Sequence, residues 1–433
     1  MGGKLRAVLF VVLALCAFTI VAQTGSHDRS VRMWATVQSS PPAITLNWLP
    51  HGNTTGFQIF RKVKGGTSWG GAIASLGSTA TSYVDNTVQP NVSYEYRVLR
   101  TTSNLGNGYG YVNSGIALDM GEYRGKIILL VDNTMSGPLA SQLTILEQDL
   151  EGDGWKVLRH DVSRTAPVTS VKSLVVADYY SDPTNVKAVL IIGHVPVPYS
   201  GNLAPDGHGD HYGAWATDAY YADVDGTWTD VSVYNAGASN PRNHNIPGDG
   251  KFDQSVIPSA VELQVGRVDM SELYAFSQNE TTLLGNYLNK LHNWKMKTMT
   301  AVTRGLVDDN FIGYADNFAQ NGWRGFGPLV HPNNVVAADY MTTMATQSYL
   351  WSYGCGPGNQ SGAYGIGSTY DFAASNIKTI FTILFGSYFG DFDSADNYLK
   401  AALASGNTLT NFWAGYPNWF FHHMGMGENI GYA

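Results

Sequence analysis

The apolar residues of this 433-residue chain follow one pattern before Tyr123 and a different pattern after it. Before Tyr123, short segments such as 44–48 and 94–98 alternate apolar and polar residues, which is the pattern of β-strands with one buried face. After Tyr123, the segments 126–132 and 188–193 are apolar almost throughout and are separated by a helical pattern, which is typical of parallel strands covered on both faces. The sequence therefore predicts a multidomain protein, in which an all-β sandwich precedes an α/β domain.

Length and composition fit such a multidomain protein. A chain of 433 residues is too long for one ordinary core and long enough for two or three domains. Hydrophobic residues make up 44% of the chain and charged residues only 14%, so apolar burial can offset the conformational entropy that folding loses. The net charge of −8 and the lack of clustered Lys and Arg argue against a phosphate-binding surface, so we expect no nucleic-acid partner.

An apolar run at residues 7–22 predicts a secretory signal peptide over residues 1–22. Lys4 and Arg6 precede the run, and a polar stretch follows it, which is the order of regions in a cleaved leader. The run is shorter than the roughly 20 residues that a membrane span needs, so we expect no transmembrane segment in the mature chain. The protein is therefore expected to be secreted or to lie at the cell surface. Cleavage removes Cys16 and leaves Cys355 as the lone thiol.

Residues 31–120 are expected to form the β-sandwich. Trp48 and the spacing of Tyr94, Tyr96 and Val98 resemble the buried strand tryptophan and the late strand of a fibronectin type III domain. The resemblance implies a module that spaces or binds, so no chemistry is predicted for this domain.

Residues 123–270 and 271–433 are expected to form two α/β subdomains that lie side by side. A loop-rich insertion at 196–258 interrupts the first subdomain, and a long helix is predicted at 271–297. The sequence stops directly after Gly431 and Tyr432 with no polar tail, so we expect the second subdomain to be truncated.

His194 is the first candidate for a functional residue. It directly follows the apolar segment 188–193, and ligands of open parallel sheets sit beyond the carboxyl ends of the strands. We therefore expect His194 to take part in substrate binding.

Five segments of the α/β region resemble, in the same order, the gingipain-type peptidases, a family of secreted cysteine peptidases with a caspase-like fold. The matching segments are 189–193, 218–226, 263–268, 353–356 and 385–392. The resemblance implies a caspase-like α/β fold with parallel sheets, and catalytic groups at the ends of neighbouring strands.

Cys355 and Ser387 occupy the positions that match the family's catalytic dyad. The family has a His within Gly-His-Gly at the first position, and at the second a nucleophilic Cys just before Gly-Asp-Phe, which here contains Asp391. An imidazole with a pKa near 6.5 can activate a thiol, whereas an unassisted serine is a poor nucleophile. The resemblance therefore implies a domain that has lost its dyad and binds a protein or peptide, or a glycan, with Asp391 among the binding residues.

Two alternatives remain open. An active cysteine peptidase would use Cys355 as nucleophile and take its base from His208 or His211, whereas in the simpler interpretation Cys355 is an inert buried thiol. A glycan-binding surface protein would instead use exposed aromatic side chains of the insertion, unless these pack beneath a long loop. The aromatic candidates are Trp215, Tyr220, Tyr221 and Trp228.

Six aspartates in a Gly-rich part of the insertion suggest a structural Ca²⁺ site, because carboxylates on turns suit this ion. They are Asp218, Asp223, Asp225, Asp230, Asp249 and Asp253. No Glu completes an EF-hand loop, so ordinary Asx turns remain the alternative. Zinc bound by His194, His208 and His211 lacks a supporting motif. No cofactor is predicted to be required.

Overall fold

The computed structural model describes residues 25–104, 106–118, 123–311 and 318–433, so the predicted leader lies outside the described residues. The first described strands form two antiparallel sheets. One sheet contains β1 (Met33–Gln38), β2 (Ala43–Trp48) and β5 (Ser82–Asp85) in the order β1-β2-β5. The other contains β3 (Thr54–Val63), β4 (Ala74–Gly77), β6 (Ser93–Thr102) and β7 (Gly108–Gly115) in the order β4-β3-β6-β7.

These two sheets share one hydrophobic core, which forms because alternate residues of each strand face inward. Trp48 is buried at the end of β2 and packs against Phe57, with 5.1 Å between the ring centroids. The Tyr96 hydroxyl donates a hydrogen bond of 2.9 Å to Asp85, so this buried phenol group has a partner.

The first parallel sheet follows in the chain. It contains β8 (Gly125–Asp132), β9 (Trp155–Val162), β10 (Val186–Ile192) and β13 (Gln264–Val268) in the order β13-β10-β8-β9. The helices between its strands are α1 (Asn133–Ser136), α2 (Ala140–Gly152) and α3 (Val168–Ser181). Strand β8 is buried almost throughout, as its continuous apolar sequence predicts.

The insertion between β10 and β13 is mostly loop. It contains the antiparallel pair β11 (Tyr199–Leu203) and β12 (Gly213–Ala216), the short helix α4 (Ala219–Ala222), and 3₁₀ turns at Gly209–His211 and Pro241–Asn243. A helix, α5 (Glu280–Lys295), then leads to the second sheet.

The second parallel sheet contains β14 (Gly305–Asp309), β15 (Val335–Ala337), β16 (Tyr349–Cys355), β20 (Thr379–Phe385) and β21 (Thr410–Phe412) in the order β15-β14-β16-β20-β21. Its helices are α6 (Gln320–Val330), α7 (Tyr340–Thr346), α8 (Thr369–Ala374) and α9 (Tyr398–Ala404). The small strands β17 (Gly358–Asn359), β18 (Gly362–Ala363) and β19 (Gly367–Ser368) form a separate antiparallel sheet, and 3₁₀ turns occur at Pro332–Asn334 and His422–Met426. The predicted mixed α/β architecture with parallel sheets is confirmed.

One hydrophobic cluster runs across both parallel sheets. It includes Leu129 of the first sheet, Leu306 and Leu384 of the second, and Leu284 of α5. Helix α5 contacts α2 on one side and α9 on the other, so it lies between the two units. No helix within the described ranges is both long enough and apolar enough to cross a membrane.

The antiparallel sheets contact the α/β region through a buried polar group. Glu95 Oε2 lies 3.2 Å from His422 Nε2 and 3.0 Å from His423 Nε2. Burial lowers the pKa of His422 to about 4, so its ring is neutral at pH 7. Nearby, Lys64 forms an ion pair with Glu428. Residues 422–428 are thus joined to the antiparallel sheets by side chains, of which Glu95 and His422 are buried.

Candidate functional site

The candidate site lies past the carboxyl ends of β16 and β20. These strands run parallel, with Cys355 opposite Phe385 in the register, and the Gly356 N–H donates to the Phe385 carbonyl at 3.1 Å. Both strands are buried because their sequences are apolar nearly throughout. Ser387 therefore emerges two residues beyond a fixed strand end, at the edge where ligands of parallel sheets bind.

Ser387 lies beside a histidine from the insertion. Its Oγ is 2.9 Å from His208 Nε2, which is hydrogen-bond distance. His208 is exposed and Ser387 is half-buried, so both are reachable from solvent. This contact corrects the expectation that Ser387 has no base beside it.

Asp206 holds the His208 loop against the Ser387 loop. Its Oδ2 accepts a hydrogen bond of 3.0 Å from the Tyr388 N–H and lies 2.6 Å from His211 Nδ1. His211 is buried, so its side chain does not move freely. Its contact with Asp206 therefore fixes the position of this part of the insertion. A carboxylate oxygen of Asp210 lies within 4.8 Å of the ligand nitrogens of both His208 and His211.

Asp206 was missed by the sequence analysis, which considered only His208 and His211 of this loop. The signal that could have found it is local, because Asp206 stands two residues before His208 in an Asp-Gly-His-Gly-Asp-His segment. The hydrogen bond between Asp206 and Tyr388 joins residues 182 positions apart, so no local sequence pattern indicates it.

The surroundings of Cys355 differ from those that the cysteine-peptidase hypothesis requires. Its thiol is fully buried and donates a hydrogen bond of 3.4 Å to Asp309 Oδ1. Burial, together with the Asp309 carboxylate, raises the pKa of Cys355 well above its ordinary value. Since His208 contacts Ser387 and His211 contacts Asp206, the structure does not bring Cys355 together with either predicted base.

His194 lies at the end of β10, as predicted. Gly193 adopts a positive φ of 83°, and a Cβ there would lie 2.7 Å from the Cβ of Asp132, so a glycine is needed to turn the chain at this point. The Nδ1 of His194 lies 2.8 Å from Oδ2 of Asp269, and this hydrogen bond raises the pKa of His194. Asp269 follows β13 directly and is buried.

Asp391 is not free to bind a substrate. It is buried and accepts hydrogen bonds from Arg242 Nε, at 2.9 Å, and Nη2, at 2.8 Å. This bidentate pair joins the insertion to the loop after β20. The structure therefore places Asp391 in a supporting contact behind the site rather than in the substrate-binding position that was predicted.

A cavity of about 410 Å³ adjoins the Ser387 loop. Its wall contains Trp215 and Trp413, whose rings are parallel within 1° at a centroid distance of 5.9 Å. The Trp215 indole donates to the His211 carbonyl at 3.1 Å, and the Trp413 indole donates to the Gly386 carbonyl at 2.8 Å. The stacked pair thus contacts both of the loops that meet at the site.

The other aromatic candidates of the insertion are packed inside it. Tyr220 and Tyr221 are buried, and Trp228 packs against the Phe252 ring at 5.6 Å. They belong to the core beneath the first sheet. The expectation of exposed aromatic side chains for sugar stacking is therefore wrong for Trp215, Tyr220 and Tyr221, which pack beneath the loop.

The six aspartates of the predicted Ca²⁺ site lie in several places. Asp218 pairs with Arg267 at 2.8 Å, and Asp230, Asp249 and Asp253 accept hydrogen bonds from backbone N–H groups. Asp223 and Asp225 lie close to Glu262, with ligand oxygens within 4.8 Å of one another. The six aspartates therefore do not surround one point. The candidate Ca²⁺ ligands that remain are the carboxylates of Asp223, Asp225 and Glu262.

No family model and no curated protein matches this chain. Gingipain R, an Arg-specific cysteine proteinase, aligns with 70% of this chain and 65% of its own, at 11% identity and a TM-score of 0.43. Pectate lyase PelI from Erwinia chrysanthemi aligns with 24% of this chain and 32% of its own, at 15% identity and a TM-score of 0.18. An Fn3-like protein from Clostridium thermocellum aligns with 19% of this chain and 80% of its own, at 25% identity and a TM-score of 0.16.

The chain spans less than two thirds of the pectate lyase and gingipain chains. The mixed α/β architecture rests on the strand pairings themselves. The fibronectin type III and caspase-like attributions stay predictions.

Proposed function

We propose that the protein is a hydrolase in which Ser387 is the nucleophile and His208 is the general base. The observation that carries the proposal is the 2.9 Å contact between Ser387 Oγ and His208 Nε2 at the carboxyl edge of a parallel sheet. A serine hydroxyl becomes a useful nucleophile only when an adjacent base takes its proton, and imidazole does so near neutral pH.

The proposed reaction is acyl transfer to Ser387 followed by hydrolysis. As Ser387 Oγ attacks a carbonyl carbon, its proton passes to His208 Nε2, and the imidazolium returns that proton to the leaving group. Water then attacks the acyl-enzyme with His208 again accepting a proton. A carboxylate oxygen of Asp210 lies within 4.8 Å of the His208 ligand nitrogen.

The substrate class we propose is a peptide or protein with an apolar or aromatic side chain near the cleaved bond. The cavity that the loop after β20 lines with Phe392 has mostly apolar walls, with Trp215 and Trp413 among them. Apolar walls with few polar groups favour apolar side chains.

The test is active-site labelling with a fluorophosphonate probe, followed by assay of peptide cleavage. We expect wild type to be labelled at Ser387, Ser387→Ala to lose both labelling and cleavage, and His208→Ala to lose at least about 100-fold in rate. His244→Ala is the matched control, because His244 lies in the same insertion and its ring nitrogen Nε2 lies 3.0 Å from the Ala238 carbonyl. Cleavage that survives Ser387→Ala and disappears in Cys355→Ala would support the cysteine alternative instead.

A non-catalytic binding module is the second candidate, favoured by the stacked Trp215 and Trp413 in the cavity wall. Such a module would bind apolar peptides equally well as wild type and as Ser387→Ala, with no turnover in either. Peptide binding followed by tryptophan fluorescence, set beside the cleavage assay, separates the two candidates.

We also propose that the protein is exported. The support is the order of Lys4 and Arg6, the apolar run at 7–22 and the polar residues after it. N-terminal sequencing of material from the culture medium should begin near Gln23. A product that begins at Met1 would contradict the proposal.

A further inference from the structure

His194, Asp269 and Asp393 form a cluster between the two parallel sheets. His194 follows β10, Asp269 follows β13, and Asp393 lies in the loop after β20 that also carries Ser387. One ligand atom of each residue lies within 4.8 Å of the other two. We propose that these three side chains bind a zinc ion, at a site separate from the Ser387–His208 pair.

The two carboxylates are held so that each turns one oxygen toward His194. Oδ1 of Asp269 accepts the Ser271 N–H at 2.7 Å, and Oδ2 of Asp393 accepts the Tyr199 hydroxyl at 2.9 Å. The remaining oxygens, Oδ2 of Asp269 and Oδ1 of Asp393, lie 2.8 Å and 4.0 Å from His194 Nδ1. Such outer donors orient the ligands of a metal site.

The spacing suits a zinc ion after a small adjustment. Zinc bonds to nitrogen and carboxylate oxygen are about 2.0 to 2.2 Å, so ligands at tetrahedral angles lie roughly 3.3 to 3.6 Å apart. The 2.8 Å and 4.0 Å separations fall on either side of that value. Each of these two nitrogen–oxygen separations needs to change by less than about 1 Å for the atoms to share one ion.

The cluster holds two carboxylates, and the cations near it are engaged with other partners. Arg267 is engaged in a bidentate pair with Asp218 at 2.8 Å, and Lys400 donates to the Ser271 carbonyl at 2.8 Å. Two carboxylates thus share His194 as their direct cationic partner. Asp269 is buried, whereas the side chains of His194 and Asp393 are 28% and 24% exposed, so an ion and one water can reach the site from solvent.

The donor set selects zinc over calcium. One imidazole nitrogen with two carboxylates matches the nitrogen and oxygen ligands of zinc, and three protein ligands leave a fourth position for water. Calcium prefers six to eight oxygen ligands, which this cluster does not offer among the described residues. Because Asp393 belongs to the loop after β20, the ion would fasten that loop to the first sheet.

The test is calorimetric titration of chelator-stripped full-length protein with zinc chloride at pH 7.5. We expect one zinc per chain in wild type, and affinity at least tenfold weaker in His194→Ala and in Asp393→Asn. His292→Ala is the matched control, because His292 Nδ1 lies 2.9 Å from Asp149 and, among the described residues, forms no ion pair with a second carboxylate. The control should bind zinc as wild type does.

Thermal denaturation without metal shows whether each variant is folded, and added zinc should raise Tm in wild type and His292→Ala alone. Absence of stoichiometric binding by wild type would overturn the proposal. So would a site that persists in the His194→Ala, Asp393→Asn double variant and is lost in His211→Ala, since zinc would then lie in the His208 loop. Neither outcome depends on whether Ser387 is a nucleophile.

Discussion

Asp308 and Asp309 end strand β14 in surroundings that exclude water. Asp308 is 5% exposed, and its Oδ2 accepts the Tyr340 N–H at 2.7 Å while Asn310 donates to Oδ1 at 2.7 Å. Burial raises the pKa of Asp308 from 3.8 to about 7, and the nearby carboxylates of Asp339 and Asp309 add to the effect. The carboxyl group of Asp308 thus lies in surroundings that disfavour its charged form.

The first prediction concerns the pH dependence that Asp308 causes. Because its pKa is higher in the folded than in the unfolded chain, the folded chain binds more protons between pH 4 and 7, and stability falls as pH rises through this range. We expect Asp308→Asn to raise Tm by a few degrees at pH 8 and by less at pH 4.5. Thermal denaturation at both values measures the difference. A gap between variant and wild type that does not change with pH would contradict the assignment.

The second prediction concerns Cys355. A buried thiol with a raised pKa is almost entirely protonated at pH 7, and the thiolate is the reactive form. We expect iodoacetamide to leave Cys355 unmodified in the folded protein for hours and to modify it within minutes in guanidinium, as measured by intact mass. Rapid stoichiometric modification of the folded protein would restore the cysteine-peptidase hypothesis.

The strands were predictable because their signal is local. The predicted segments 126–132 and 188–193 became Gly125–Asp132 and Val186–Ile192, since a continuous apolar run marks a buried parallel strand wherever it occurs. The helix predicted at 271–297 begins later, at Glu280, where the Asn279 side chain accepts the Thr282 N–H and caps it.

The candidate site was less predictable because it depends on loops. Ser387 and His208 lie 179 residues apart, and no periodicity connects them. Ser387 lies at the carboxyl edge of the sheet, yet the histidine beside it comes from an insertion whose path the sequence does not define. The position of Asp391 was mispredicted for the same reason. The sequence pattern places it at the site, whereas the ion pair with Arg242, a residue of the insertion, holds it behind the site.

The third prediction concerns the carboxylates of the insertion. If Asp223, Asp225 and Glu262 bind Ca²⁺, the free energy of unfolding should rise by about 2.7 kcal/mol at a hundredfold excess over Kd. Thermal denaturation of chelator-stripped protein, with and without millimolar Ca²⁺, measures this rise. Asp225→Asn should lose the effect, and Asp249→Asn, outside the group, should keep it. Equal Tm values with and without Ca²⁺ in wild type would contradict the prediction of a Ca²⁺ site.

At the scale of the whole molecule, the contact between the antiparallel sheets and the α/β region is sensitive to acid. Burial would raise the pKa of Glu95, but hydrogen bonds from His422 and His423 outweigh it and hold this pKa well below its usual range. Lys62 lies 3.3 Å from the other carboxylate oxygen of Glu95 and is a further charged neighbour. Glu95 is therefore charged and His422 neutral in the folded protein.

The fourth prediction follows from the lowered pKa of His422. The unfolded chain binds more protons than the folded chain between about pH 4 and 6.5, so stability is lost as pH falls through this range. We expect His422→Gln, which cannot titrate, to lose fewer degrees of Tm than wild type between pH 7 and pH 4.5. His331→Gln, at an exposed position, is the control and should follow wild type. Equal losses in all three proteins would refute the prediction.

The Glu95 contact can form only late in biosynthesis, because its partners are far along the chain. Glu95 leaves the ribosome 327 residues before His422, and at about 5 to 20 residues per second that interval is roughly 16 to 65 seconds. During this time the first sheets can form from nearby strands, but the surface around Glu95 has no partner and stays in water. Forming this contact closes a very long stretch of chain, which is slow because distant segments must meet. In a nascent chain the surface around Glu95 therefore stays without its histidine partners until His422 and His423 have been made.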